Sequence, residues 1–247
     1  ELLLLSAATQ TDAAAADAFV AQAEKDLVAA DAAAQQAEWA YQTNITPETE
    51  AATAKASAAY NKLRVAQATE AAKHAKGWGL SYDTERKLSR MRTAIVMPAS
   101  TKPGAAEELA GLNAKLQGVY GKGKGTLRGQ PINGSDIEAE MGTNRNPAEL
   151  AEMWTSWHNN VGTPMKADYV RLVNLTNEGA QGLGYADAGA MWRSNYDMSP
   201  DEFAALTEKL WGQVKPLYED LHCYTRSKLN EKYGDAVQAK TGPIRAD

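Results

Sequence analysis

One cysteine, two phenylalanines and three histidines are all that the 247 residues hold of these types. The single thiol, Cys223, rules out an intrachain disulfide and a structural zinc site built on thiolates. No two of His74, His158 and His222 stand four residues apart, so no helix here carries the paired-histidine face that binds zinc in many peptidases. Positive charge is not in excess either. The net charge is −5, and Lys and Arg are scattered among acids rather than gathered into a stripe, which argues against a nucleic-acid partner. Long apolar runs are missing as well. Leu2 to Leu5 follow an acid, lack a basic flank and are too few for a signal peptide or a membrane span, so the start reads as that of a mature, soluble chain.

What is present is alanine. Much of the 44% apolar content is this residue, which favours helix but buries little area, while Leu, Trp and Tyr supply the larger side chains. The length suits one large or two small domains. Stability resting on many modest helix contacts and a few aromatic anchors implies a chain that needs a partner surface to complete its core. No linker rich in Pro, Ser or Gly is long enough to divide it, so residues 1–247 are read as a single unit.

Helix starts are marked by a capping side chain just before a proline, whose fixed φ and missing N–H suit the first helical position. Thr46-Pro47, Asn146-Pro147, Thr163-Pro164 and Ser199-Pro200 show it, and Glu149 and Glu202 stand where they could answer the cap's own N–H. Apolar residues then keep helical spacing: Leu150, Met153, Trp154 and Trp157; Tyr169, Leu172 and Val173; Phe203, Leu206, Leu210, Val214, Leu217 and Leu221. Each set is expected to form one buried stripe. Upstream, residues 17–40 and 48–76 predict two long helices in a hairpin, and further helices fit 84–96 and 105–120. Gly121 to Gly129 and Gly179 to Gly189 read as loops or helix breaks, and nothing alternates for long enough to demand a strand.

Residue by residue, no active site stands out. Gly121 to Gly125, GKGKG, lacks the strand and the Lys-Ser/Thr ending of a phosphate cradle and reads as a solvated loop. His74 lies among lysines and reads as exposed, His158 and His222 as hydrogen-bonded packing residues, and Cys223 as a buried, inert thiol. Asn44, Asn133 and Asn174 sit in short Asn-x-Ser/Thr triplets. The acid pairs Glu107-Glu108 and Glu138/Glu140 read as solvated faces.

Ordered blocks across most of the chain nonetheless resemble the amino-terminal half of the angiotensin-converting enzyme (peptidyl-dipeptidase A) family. They are WAYQTNIT (Trp39 to Thr46), the Tyr120-Gly121-Lys122 region, NRNPAELAEMWTSW (Asn144 to Trp157), NEGAQGLGYADAGAMWRSNYD (Asn177 to Asp197), PLYEDLHCYTRSKLNEKYG (Pro216 to Gly234) and GPIRAD (Gly242 to Asp247). The resemblance implies an all-α, elongated helical half of a zincin-type peptidase with a deep substrate channel. Residues of about 12–80 would form lid helices and 81–247 the channel wall. It further implies release of C-terminal dipeptides from oligopeptides, a zinc cofactor, possible use of chloride, and a periplasmic or secreted location. The family's zinc-binding His-Glu-x-x-His and its catalytic residues lie beyond the matched stretch, so no catalytic and no metal-ligating residue is expected in this chain. The expected partners are the remaining C-terminal half of the enzyme and oligopeptide substrates, with neither nucleic acid nor a membrane span. A noncatalytic helical interaction module, or an inactive relative, is the alternative.

Individual positions carry over where they match. Tyr196, in WRSNY, corresponds to a tyrosine of one of the family's two chloride sites. Trp154 matches a tryptophan of the other, but His158 stands where an arginine is usual, and a neutral imidazole offers no permanent forked cation. That site is expected to be lost or weakened. Gln42 and Gln117 fall where family members line the substrate channel. The family's cysteine pair is missing, with Thr126 in place of one member, so the segment after Tyr120 must be held noncovalently.

Overall fold

A computed structural model describes residues 2–247, with side chains described from Asp12 onward. The opening leucine run therefore has described backbone only, and its side chains lie outside the described residues. In chain order the elements are α1 (Leu2–Thr43), α2 (Pro47–His74), α3 (Tyr82–Thr93), α4 (Ala105–Gly121), β1 (Lys124–Leu127), β2 (Gln130–Asn133), α5 (Gly134–Thr143), α6 (Pro147–Trp157), a π turn (His158–Gly162), α7 (Thr163–Gly182), α8 (Ala188–Arg193) and α9 (Pro200–Tyr233). The fold class is all-α. Among the described residues no helix is long and apolar enough to cross a membrane.

Two compact units share this chain: residues up to Gly118 with Ala167–Pro200, and Val119–Lys166 with Asp201–Asp247. In the first, the Thr46-Pro47 signal works as read. Thr46 accepts from the Thr49 amide and Thr49 Oγ1 accepts from the Thr46 amide, closing a reciprocal cap that starts α2 three residues after α1 ends. So short a turn folds α2 back along α1. The seam is alanine and β-branched: Ala16, Val20 and Ala71 pack with Leu88 of α3, flanked by Phe19, Leu80 and Met91. Val65, Ala68 and Ile95 extend it, and Ala180, Ala188 and Met191 form a further cluster under α8. Small side chains let helices approach closely at little gain in buried area, so close fit has to substitute for bulk.

The stretch after α3 shows how that fit is made. Asn61 donates Nδ2 to the Met97 carbonyl at 2.5 Å and accepts the Ala99 amide at 2.9 Å, a two-point clamp on extended backbone. The clamped segment presses against Gly179 of α7, where an added Cβ would stand 1.9 Å from the Pro98 carbonyl oxygen. Gly179 is therefore an approach point within α7 rather than the start of a break, and the helix runs on to Gly182. The buried face of α7 also differs from expectation. Leu172, Leu175, Thr176 and Ala180 are buried, whereas Tyr169 and Val173 are exposed, because the neighbour of α7 lies on the side that Gly179 marks.

In the second unit, two corrections concern chain direction. Gly121 to Gly129 are not simply a loop: β1 and β2 pair antiparallel with Leu127 opposite Gln130, leaving Arg128 and Gly129 as a two-residue turn. Both lie at positive φ, 53° and 73°, as a hairpin turn of primed type requires. Within GKGKG, Lys124 and Gly125 belong to β1; Lys124 is exposed, while Gly125 is buried, where a Cβ would meet Ile137 at 2.8 Å. Likewise Thr163 does not cap a helix start. Its backbone is helical, and its amide bonds the His158 carbonyl across a π turn that joins α6 to α7. The lengthened register places Pro164, which has no N–H to give, where the helical ladder has just shifted.

Helix α9 carries the largest departure. Leu206, Leu210, Val214, Leu217 and Leu221, expected as a buried stripe, are exposed, from 39% at Leu206 to 71% at Leu217, and no residue of α9 is buried. Trp211, Tyr218 and Tyr224 are exposed too. A periodic apolar face of this kind is what helices elsewhere bury against other protein.

The clamp at Gly179 gives a direct test. Gly179→Ala in the full-length protein is expected to destabilise it by about 1–3 kcal/mol, because the Pro98 carbonyl must move. Differential scanning calorimetry should show a lower melting temperature, and an unchanged one would contradict the close approach.

Candidate functional site

The channel-lining candidates meet in the first unit, and the reason begins one residue earlier. Tyr41 is fully buried, and its hydroxyl donates to the Ala114 carbonyl of α4 at 2.6 Å. The phenol fits because Gly118 has no side chain: a Cβ there would lie 2.5 Å from the hydroxyl. Burial pushes the Tyr41 phenol above its ordinary pKa, and nearby Glu50 and Glu38 add to this. It therefore stays a donor. With α1 pinned to α4 at this point, Gln42 Nε2 donates to Gln117 Oε1 at 3.1 Å and to Glu38 Oε1 at 2.7 Å. Glu38 Oε2 in turn accepts from Thr53 of α2 at 2.9 Å. The two residues singled out by resemblance thus belong to one polar ladder, Thr53–Glu38–Gln42–Gln117, spanning three helices. The ladder contains no nucleophile and no paired acid and base. It is an array of amide and carboxylate hydrogen-bonding groups.

Sequence reading missed Tyr41, Glu38 and Thr53 as parts of this arrangement. The only signal was position: Glu38 and Gln42 are four residues apart on one helical face.

In the second unit the geometry centres on α6. Trp154 and His158 lie against each other with ring centroids 4.0 Å apart and planes tilted by 30°, and His158 Nδ1 lies 2.7 Å from the Trp154 carbonyl oxygen. His158 is thus hydrogen-bonded and packed on Trp154 as read, at an exposed position. Glu149, expected to close a cap on Asn146, points elsewhere. Its oxygens accept a forked pair from Arg128 Nε and Nη2, both at 2.9 Å, and a third bond from Asn144 at 2.7 Å. The Arg128 guanidinium and then the Asn144 amide hold its carboxyl at about 2, well below the usual range. Asn146 caps Ala148 on its own. One turn on, Glu152 receives the amides of Arg128 and Gly129 at 2.9 and 2.8 Å, and Thr126 N–H donates to Ser156 Oγ at 2.7 Å. Two carboxylates of α6 thus hold the turn's side chain and its backbone at once. This is the noncovalent fastening that the missing cysteine pair called for.

The remaining candidates stay apart. Tyr196 is exposed in the stretch after α8, between Asn195, which accepts from Arg90, and Asp197, which pairs with Arg86 at 2.8 Å. His74 is not exposed among lysines but half-buried, stacked on Phe19 at 4.9 Å and 3.8 Å from Glu70. His222 lies 3.4 Å from Arg226, and Cys223 is exposed on α9 rather than buried, 3.7 Å from the same guanidinium. Glu107 and Glu108 pair with Lys62 and Arg171. Among the described residues no three His, Cys, Asp or Glu side chains come together as metal ligands. The described residues therefore offer no ligand set that would fit a zinc ion.

The helices α1 to α9, with the α1–α2 hairpin, form the scaffold that carries the sequence blocks of α6, α8 and α9. A sequence model described as angiotensin-converting enzyme matches residues 10–247, and the chain belongs to that family. It is 32% identical over 216 residues to angiotensin-converting enzyme of Mesocricetus auratus, covering 85% of this chain and 16% of that protein. The counterpart of Oryctolagus cuniculus is 30% identical over 247 residues, 94% of this chain and 18% of its own. That of Theromyzon tessulatum is 31% identical over 219 residues, 86% of this chain and 35% of its own. The chain therefore spans a minor part of the length of the relatives it matches.

Because Glu149 is held near 2 in the fold and near 4.5 without its partners, its contribution is present above about 4.5 and is lost as pH falls through that window toward 2. Hydrogen exchange at the Arg128 and Gly129 amides should accelerate over this range relative to amides of β1. Glu149→Gln should flatten the dependence; an unchanged profile would show that the ion pair does not hold the turn.

Proposed function

We propose that this chain forms the amino-terminal lid and channel wall of a zinc-dependent peptidyl-dipeptidase that releases C-terminal dipeptides from oligopeptides in the periplasm or outside the cell. The uncovered apolar face of α9 carries the reading. A helix of 34 residues with no buried position is unstable as a free surface, and the remaining part of the same catalytic domain is the natural cover. That part would supply the zinc ligands, the general base and the oxyanion donors, where the metal polarises the scissile carbonyl and its water. Residues of about 12–80 would then act as a lid that admits short peptides and excludes folded proteins and bulk water. The single-unit division of 1–247 into lid and wall belongs to this proposal, as do the roles of its residues.

Within it, Gln42 and Gln117 present amide groups to the peptide backbone, and the ladder through Glu38 fixes their orientation. Tyr196 contributes a hydroxyl to one chloride site. His158 replaces the expected arginine of the other, which weakens it.

On this proposal the chain alone is inactive. The isolated chain is expected to melt without a sharp transition and to bind a hydrophobic dye, while the full-length protein melts cooperatively. Leu217→Ser should cost the full-length protein about 2–5 kcal/mol and leave the isolated chain nearly unchanged. A cooperative melt of the isolated chain would count against the missing cover.

Activity is tested on the full-length protein. Metal analysis should find about one zinc per polypeptide, and mass spectrometry of peptide digests should show losses of two C-terminal residues at a time. Chloride should raise the rate through one site, an effect that Tyr196→Phe reduces. Absence of both zinc and dipeptide release would favour a noncatalytic helical module.

A further inference from the structure

Where α2, the end of α3 and the end of α7 meet, the first unit holds a cavity of about 100 Å³ that shares no residue with the glutamine ladder. Ala68 and Ala72 of α2, with Leu183 just past α7, give it an apolar floor, while Arg92 of the last turn of α3 and Tyr185 bring polar groups to it. Both are half-buried. Neither the Arg92 guanidinium nor the Tyr185 hydroxyl has a hydrogen-bond or ion-pair partner among the described residues. Arg86, Arg90 and Arg171 of the same unit, by contrast, are bonded to Asp197, Asn195 and Glu108. The end of α7 does not occupy Arg92, because the carbonyls of Gly179, Ala180 and Gln181 already accept the amides of Leu183, Tyr185 and Gly184, in a turn that Gly184 makes at a φ of 90°. Thr69, also on the cavity wall, gives its hydroxyl to the Val65 carbonyl at 2.8 Å. No Asp or Glu is among the described residues that line the cavity.

Two donors without acceptors, beside an apolar floor and with no competing acid, suit a planar anion that carries a small apolar group. A carboxylate takes the forked pair of a guanidinium and keeps lone pairs for a third donor. The volume is that of about three water molecules at roughly 30 Å³ each, so only one or two carbons fit behind the carboxylate. We infer that this cavity binds a short-chain carboxylate, acetate or propionate. Arg92 forks onto the two oxygens, Tyr185 donates its hydroxyl to one of them, and the methyl or ethyl group lies on Ala68, Ala72 and Leu183. The Tyr185 ring is held for this by packing against Ala180, Ala188 and Met191. Leu183 packs on the same cluster and also on Val65, Ala68 and Ile95. A bound anion therefore ties the end of α3 to the turn after α7 and stiffens the packing behind α2. The site needs neither zinc nor a peptide, so it stands or falls apart from the peptidase reading.

The test titrates full-length protein with carbon-13-labelled acetate and reads the broadening of the acetate resonance, with melting temperature as a second readout. So small a ligand is expected to saturate in roughly the millimolar range and to raise the melting temperature as it does so. Arg92→Gln should weaken binding more than about tenfold, and Tyr185→Phe about tenfold, since each removes a hydrogen bond to a charged group. Arg92→Lys, which keeps the charge and loses the fork, should fall between the wild type and Arg92→Gln. Ala72→Leu fills the cavity without touching either donor and should abolish binding too; its melting temperature in the absence of acetate shows that the fold is kept and guards against misfolding of the Arg92 variants. The same saturable broadening in wild type and Arg92→Gln would overturn the inference, as would no saturable broadening at all. Inorganic phosphate binding at Arg92 more tightly than acetate or propionate would overturn the assignment to a carboxylate.

Discussion

The buried hydroxyl of Tyr41 on the Ala114 carbonyl is the contact on which the first unit depends. A phenol removed from water must keep its hydrogen bond, and the site has room for one only because Gly118 lacks a Cβ. The bond fixes the end of α1 against α4, and the capped turn at Thr46 then fixes where α2 begins. Everything proposed for Gln42 and Gln117 follows from these two constraints. A helix rotation of even one residue would carry Gln42 away from its partner. An alanine-rich seam could not specify the register by itself, since small side chains interdigitate weakly.

The second unit solves a similar problem differently. Its strands are four residues each, too short to be stable alone. Arg128 occupies a left-handed backbone conformation that an ordinary side chain adopts at a cost. Glu149 and Glu152 make that conformation worthwhile by binding its guanidinium and the turn's amides simultaneously. With Thr126 and no cysteine in this segment, the chain fastens the turn by charge, which leaves it sensitive to acid rather than to reductant.

How much of this could be read from the sequence follows from the range of the interactions involved. Helix starts at Pro47, Pro147 and Pro200 were legible because a cap and a proline act within one turn of each other. The hairpin was not. Its turn residues are Arg-Gly rather than Asn-Gly, and what stabilises them lies more than twenty residues away in α6. Glu149 shows the same limit: its local spacing fits a cap, but a distant guanidinium wins. Gln42 and Gln117 were singled out by resemblance alone, and their mutual bond and the Glu38–Thr53 extension needed coordinates. The α9 stripe was legible as apolar periodicity, while its exposure was not, because periodicity reports that a face is to be covered and not by which residues.

That bare face has a practical side. Cys223 is the only thiol in the chain and stands exposed on α9, one position before Tyr224. A spin label or fluorophore attached there would stand on the side of α9 away from Leu217 and Leu221, beside the Arg226 guanidinium, and would leave the apolar stripe itself untouched. Its mobility would report on α9 next to that stripe without occupying the surface to be covered. The scarcity of cysteine thus leaves a built-in gauge for assembly of the domain.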